Sequence, residues 1–264
     1  MDFLYLELEP HFATRALWHL IRAHLITNNN TMKRTGKEWG PGVIACIIFS
    51  LLSLTCQAQD DDRLQIDPTA EIHPTAVLDG DITVGAYTRV GAGTVLTGRV
   101  IVGHHTLIQC NVTVRGKVRI GNYTHVYDNV CIEGGRPAKL WSSEAEEPDQ
   151  AIIGDYCWVN HGATMHGTRM ANRSAVNLNT ACDYNTRLGE GAVLANGSAT
   201  HINQVIPANC FAQGVPAVVM KENITDKDRA EYFGVIPEIW ARSSGDYWES
   251  QKKKKMEEAE EGEN

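Results

Sequence analysis

The sequence predicts an all-β fold, a parallel β-helix of hexapeptide repeats with a C-terminal α-helix, and three observations predict it. An aliphatic residue recurs at every sixth position from Ile66 onward. Glycine is frequent, at 23 of 264 residues, while aromatic residues make up only 7%. The chain ends in a stretch that opens on a helix-capping pair, Thr225-Asp226, and runs through Trp240 to Trp248.

The repeat comes first. Ile66, Ile72, Leu78, Val84, Val90, Leu96, Val102, Ile108, Val114, Ile120, Val126 and Ile132 follow one another without a miss. Valine, isoleucine and leucine fill under a third of positions, so twelve hits by chance are rarer than about one in 10⁵. A helix repeats at 3.6 and an ordinary strand at 2, so neither gives this period. Six is the period of a β-helix, in which each hexad is a short strand plus a corner and three hexads close an 18-residue triangular coil. The branched residue points inward, where stacked Val and Ile bury apolar area without gaps. Small or branched residues four places later, such as Ala70, Ala76, Thr88, Thr94, Thr106, Thr124 and Val130, fill the corners, and Gly85, Gly91, Gly103 and Gly121 suit their tight geometry. Successive coils are expected at the usual strand spacing of about 4.8 Å.

The register breaks after Ile132. Residues 134–151 lack the repeat, carry Glu144, Glu146 and Glu147, and predict an excursion loop. The repeat resumes at Ile153, Val159 and Met165, skips one residue, and continues at Met170, Val176, Cys182, Leu188, Leu194, Thr200, Ile206 and Ala212. That makes roughly seven coils. The β-helix is therefore expected over 59–215, and the C-terminal helix and charged tail over 216–264. The helix is expected to pack along the prism as a cap, with Lys252–Lys255 and the acidic end as a solvated tail.

The N-terminal part reads differently. Met32-Lys33-Arg34 and Lys37, an apolar run from Val43 to Leu54, and Cys56-Gln57-Ala58 before three Asp have the order of a secretory signal peptide over 32–58. Residues 1–31 then form an upstream extension outside the mature protein, and the expected location is periplasmic or secreted. Cleavage after Ala58 leaves 19 basic against 28 acidic residues and a net charge of -9, against -8 for the whole chain. Such a balance argues against a nucleic-acid partner, and the apolar run is shorter than the roughly 20 residues that span a bilayer, so no membrane partner is expected for the mature form. Five cysteines remain, Cys110, Cys131, Cys157, Cys182 and Cys210, with no CxxC pair; each is expected to act as a small buried hydrophobe. Their odd number leaves at least one thiol free.

Chemistry concentrates in His161-Gly162-Ala163-Thr164-Met165-His166-Gly167. His166 follows the inward Met165 and points outward. Allowing for a 15-residue insertion, Glu133 lies one coil below His166 on the same face and Arg115 a coil below that. The same register sets His161 one coil above Asp128, around a corner from Glu133, where a single prism does not easily bring it to the pair and a symmetric neighbour can. Two imidazoles and a carboxylate form a ligand set for catalytic zinc, which keeps a fourth position for water and lowers its pKa. The alternative for any outward histidine is plain surface decoration, which is the reading for His73, His104 and His201.

The region from Ile66 to Trp248 resembles the gamma-class carbonic anhydrases, carried by the His161–Gly167 segment, by Thr113-Val114-Arg115-Gly116 and by Val126-Tyr127-Asp128-Asn129-Val130-Cys131-Ile132-Glu133. The resemblance implies a left-handed β-helix, a homotrimer, and one zinc per interface (Fe²⁺ or Co²⁺ being possible occupants). It implies that His166 and position 133 come from one subunit and His161 from the next, and that Arg115 and Asp128 pair in support of the interface. Carbon dioxide/bicarbonate is the implied substrate. The chain departs from the family pattern in three places: Glu133 stands where the family has a histidine ligand, Tyr127 where it has a water-orienting glutamine, and Lys117 where it has an acidic residue. A carboxylate ligand lowers the charge of the site by one unit, so the metal acidifies its water less. Tyr127 can still hydrogen-bond a water. His125, expected at a corner, is the alternative third ligand, and Glu144, Glu146 or Glu147 are candidate proton shuttles. Competing expectations are a related lyase or hydrolase acting on another substrate, a hexapeptide acyltransferase with one histidine as general base, and a catalytically silent relative.

Overall fold

A computed structural model describes residues 63–135 and 150–262. Segments 1–31 and 32–58 and loop glutamates 144, 146 and 147 lie outside the described residues. Most of the rest winds into the left-handed, triangular β-helix that the repeat and the resemblance predict.

Each coil contributes one rung to each of three faces. The first face stacks Leu64–Ile66 and, in turn, the rungs ending at Val84, Val102, Ile120, Ile153, Met170, Leu188 and Ile206, eight in all. The second face stacks eight parallel rungs from Glu71–Ile72 to Phe211–Gly214, the last of which pairs antiparallel with Ala217–Lys221. The third face carries Val77-Leu78, Val95-Leu96, Thr113-Val114, Cys131–Glu133, Thr164–His166 and Ala181-Cys182, and ends in the single bridge Ala181↔Ala199. The expected seven coils are thus corrected to eight rungs on two faces, because the last coil is left incomplete on the third.

Register follows the arithmetic of the repeat. Val77, Val95, Thr113 and Cys131 stand one above another at 18-residue steps. Gln150 pairs with Lys117, so the 15-residue insertion leaves the stack undisturbed. The excursion loop is shorter than expected at its C-terminal end, since Gln150 and Ala151 already belong to the strand Gln150–Ile153. The skipped residue after Met165 appears as a 17-residue step from Met165 to Cys182.

Packing explains the period. Leu96, Ile108, Val126, Ile132, Val159, Met165 and Leu194 are fully buried, each worth about 1.5–3 kcal/mol of transfer free energy. The corner threonines Thr88 and Thr106 complete the core with their hydroxyls paired. The Thr88 hydroxyl donates to the Gly103 carbonyl at 2.6 Å and accepts the Thr106 N–H at 3.1 Å, and Thr106 repeats the pattern with Gly121 at 2.7 Å and Thr124 at 3.3 Å. Three strands of eight residues, Val77–Val84, Val95–Val102 and Thr113–Ile120, pass from the third face to the first without breaking. Gly80, Gly98 and Gly116 make that bend possible, at φ of 116°, 98° and 84° and directly against the next rung's backbone.

Two helices follow where one is expected. α1 (Asp226–Phe233) starts on a capping box between Thr225 and Asp228 and stops at Gly234, whose φ of 74° ends it in the left-handed region. The buried Arg229 ties α1 to the prism through the Gly191 carbonyl at 2.8 Å and Asn209 Oδ1 at 2.7 Å. α2 (Pro237–Gly262) opens on proline, which favours the first helical turn. It carries Lys252–Lys255 as helix rather than as unstructured tail, because Lys253 with Glu249 and Lys254 with Glu258 pair one turn apart. No helix among the described residues is long and apolar enough to cross a membrane.

Candidate functional site

The third face begins at the corner after Val126 and ends at the glycine bend, and the six singled-out residues divide between its two edges. Arg115, Glu133 and His166 stack in register at the far edge. Arg115 Nη2 donates to Glu133 Oε2 at 3.0 Å, and His166 Nε2 lies 3.7 Å from the same oxygen. The hydrogen bond and charge of Glu133 raise the Arg115 guanidinium further above its ordinary pKa. Tyr184, one coil up, places its ring 5.2 Å from that of His166. Nothing in the pattern of sixes singles this tyrosine out.

Tyr127, Asp128 and His161 gather at the near edge. Asp128 Oδ1 accepts the Cys110 N–H at 2.9 Å, and Oδ2 lies 3.3 Å from His161 Nδ1. That contact holds the ring and leaves Nε2 directed elsewhere. Tyr127 lies against the same imidazole, ring centroids 4.9 Å apart, and burial pushes its phenol up to about 12, so it stays protonated and able to donate at neutral pH. Between the two edges run the small outward side chains Thr113, Cys131, Thr164 and Ala181, partly or fully exposed.

His161 does not join Glu133 and His166 within one chain. Among the described residues, the one trio of ligand atoms lying within 4.8 Å of one another is His105, Asp246 and Glu249. Arg115 and Asp128 likewise sit in separate clusters, and the arginine's partner inside the chain is Glu133.

Two expectations are corrected. His125 is not a corner residue near Glu133: it lies on the second face between Leu107 and Trp158, 1% exposed, and burial lowers its imidazole to about 4. It is therefore neutral, and it lies beside Tyr127, ring centroids 6.0 Å apart, on a different face from Glu133 and His166. Cys110 is exposed and Cys131 half-exposed, whereas Cys157, Cys182 and Cys210 are buried as expected, and all five are free thiols. Burial raises the pKa of the Cys157 thiol to about 11, which leaves it unreactive. His73, His104 and His201 are surface residues.

Comparisons with known proteins find similarity among solved structures alone. No family model and no curated protein matches the chain. Among solved structures, it is similar to a hexapeptide transferase family protein from Anaplasma phagocytophilum, at 20% identity, over 72% of this chain and 91% of that one, with a TM-score of 0.46. A putative acetyltransferase from Bacillus cereus matches at 20% identity over 70% and 92% of the two chains, with a TM-score of 0.47. The polySia-specific acetyltransferase NeuO matches at 16% identity over 63% and 92%, with a TM-score of 0.42. Likeness at this level carries no argument about the reaction. The fold itself rests on the strand register of this chain.

Proposed function

We propose that the chain is an enzyme whose active site forms where copies meet in a homotrimer, with carbon dioxide and bicarbonate as its substrates. In this reading Glu133 and His166 of one copy and His161 of the next hold a zinc ion (Fe²⁺ and Co²⁺ being alternative occupants). The observation that carries it is the division of the singled-out residues into complementary half-sites on opposite edges of one face. A face whose two edges each bear part of a ligand set completes the set only against another copy.

The donor chemistry fits zinc. The 3.7 Å between Glu133 Oε2 and His166 Nε2 is close to the roughly 3.3 Å expected between ligands on one tetrahedral ion with 2.0–2.1 Å bonds. A bound zinc supplies Lewis acidity and lowers the pKa of a water. Asp128 orients His161 from behind, the usual support for a metal-ligating imidazole. Arg115 offsets the extra negative charge that Glu133 brings in place of a neutral imidazole. Tyr127, protonated and packed beside His161, has a donor to offer a water held there. The segment 32–58 would place this chemistry in the periplasm or outside the cell.

A second reading has its own support. His161 with Asp128 is also a base-and-orienter pair, as a hexapeptide acyltransferase needs for drawing the proton from an acceptor hydroxyl or amine. Metal analysis and the mass of the protein in solution separate the two readings. A trimer with one zinc per chain, lost in Glu133→Ala, and with carbon dioxide hydration supports the first. Acetyl-coenzyme A binding by a metal-free trimer supports the second and overturns the first.

A further inference from the structure

A different cluster stands along the corner between the first and second faces. Tyr87, His105, Tyr123, Tyr156 and Arg173 occupy one turn position, one per coil, each with φ between 51° and 62°. Their rings stack along the prism, His105 on Tyr123 at 4.7 Å and Tyr123 on Tyr156 at 5.3 Å. α2 lies on this ladder. Arg242 Nη2 donates to the Tyr156 hydroxyl at 2.9 Å, the Tyr123 hydroxyl donates to Asp246 Oδ1 at 3.2 Å, and Glu249 Oε2 is 2.8 Å from His105 Nε2. The match is one of pitch: a helical turn advances about 5.4 Å and a coil about 4.8 Å, so side chains three or four residues apart meet successive coils.

We infer that His105, Asp246 and Glu249 form a second metal site, taking a divalent ion of the zinc type and fastening α2 to the prism. An imidazole and two carboxylates suit such an ion, and Asp246 and Glu249, three residues apart, share a helix face. The His105 side chain is 10% exposed and fixed by the ring stack; Glu249 is half-buried; Asp246 is exposed and leaves an edge open for entry and for water. Each ligand also has the outer support that metal sites use. His104 Nδ1 is 2.8 Å from His105 Nδ1, so His105 can donate there while Nε2 binds. Lys253 holds the other oxygen of Glu249, and the Tyr123 hydroxyl holds Asp246. The ligand atoms lie within 4.8 Å of one another, wider than the roughly 3.3 Å of an occupied tetrahedral site, and a rotamer change of the exposed Asp246 closes the gap.

The test uses the full chain carrying Glu133→Ala and His166→Ala, so that the proposed interfacial site is out of play. After dialysis against zinc chloride, with magnesium chloride as control, bound metal is counted and the thermal midpoint is recorded. Retention of one zinc per chain, with a midpoint raised by zinc and not by magnesium, is expected. Adding Asp246→Asn and Glu249→Gln, near-isosteric changes that keep hydrogen bonding to Tyr123 and His105, should remove that equivalent and the midpoint rise while leaving the metal-free midpoint close to its parent. An unchanged zinc count in that variant, or no zinc bound by the parent, overturns the inference and marks the cluster as a hydrogen-bonded clasp alone.

Discussion

His161 and Asp128 meet at 3.3 Å on one edge of the third face, and the contact engages Nδ1 alone, so Nε2 is the nitrogen left for a partner copy. The carboxylate holds the ring and fixes its tautomer, whether the imidazole then binds a metal or accepts a proton. Asp128→Asn keeps the shape and removes the charge. An activity or zinc-affinity loss of about 10- to 100-fold is expected. Steady-state kinetics and equilibrium dialysis check it; unaltered values in both would make the contact decorative.

Glu133 is the departure with the clearest electrostatic consequence. Replacing it by histidine restores a neutral ligand and raises the charge of the site by one unit. A zinc held there would acidify its water more, so the acid limb of the hydration profile, where activity rises with pH, should move to lower pH in Glu133→His. The profile of the purified variant, set beside that of the parent, is the measurement. A limb that stays in place would show that Glu133 does not touch the reacting centre.

Much of this was legible in the sequence because a β-helix converts spacing into position. Counting by eighteen places Arg115, Glu133 and His166 in one column and His161 above Asp128, and the strand register agrees. Contacts made by the C-terminal helices obey no such count. Glu249 reaches His105 across 144 residues, and Arg229 reaches Gly191 across 38. His125 illustrates the cost: its hexad register marks it as outward, which for most of the chain means solvent, yet its imidazole is 1% exposed. Continuation of α2 through the lysine run was equally hidden, since the pairs that support it join residues within a segment whose composition also fits a solvated tail.

The glycine bend between the third and first faces can be tested directly. Gly98 has φ of 98°, and a Cβ there would come within 2.7 Å of the Gly116 carbonyl oxygen, a backbone atom held by the next rung. Relief would require displacing one coil against another. Gly98→Ala should therefore lower stability by about 1–3 kcal/mol, with a lower urea midpoint and unchanged helix content by circular dichroism. Gly197→Ala is the control: it shares a positive φ of 64° but has nothing within 4 Å, so its loss should be the smaller.

His125 should make the fold sensitive to mild acid. Its folded pKa is about 4 against an ordinary 6.5, lowered by burial, and Nδ1 has no partner among the described residues. Between those two values the unfolded chain binds the proton and the folded chain does not, so stability falls as pH drops from about 6.5 toward 4. Below about 4 both states are protonated and this contribution levels off. The depression corresponds to about 3 kcal/mol at the acid end of the window. Leucine at this position fills most of the ring's space and cannot titrate. Urea unfolding at pH 7 and pH 5 should show a drop for the parent that is smaller in His125→Leu by about 2 kcal/mol, since pH 5 lies roughly 1.5 units into the window. Equal pH dependence in the two proteins would mean that the imidazole is solvated on the second face.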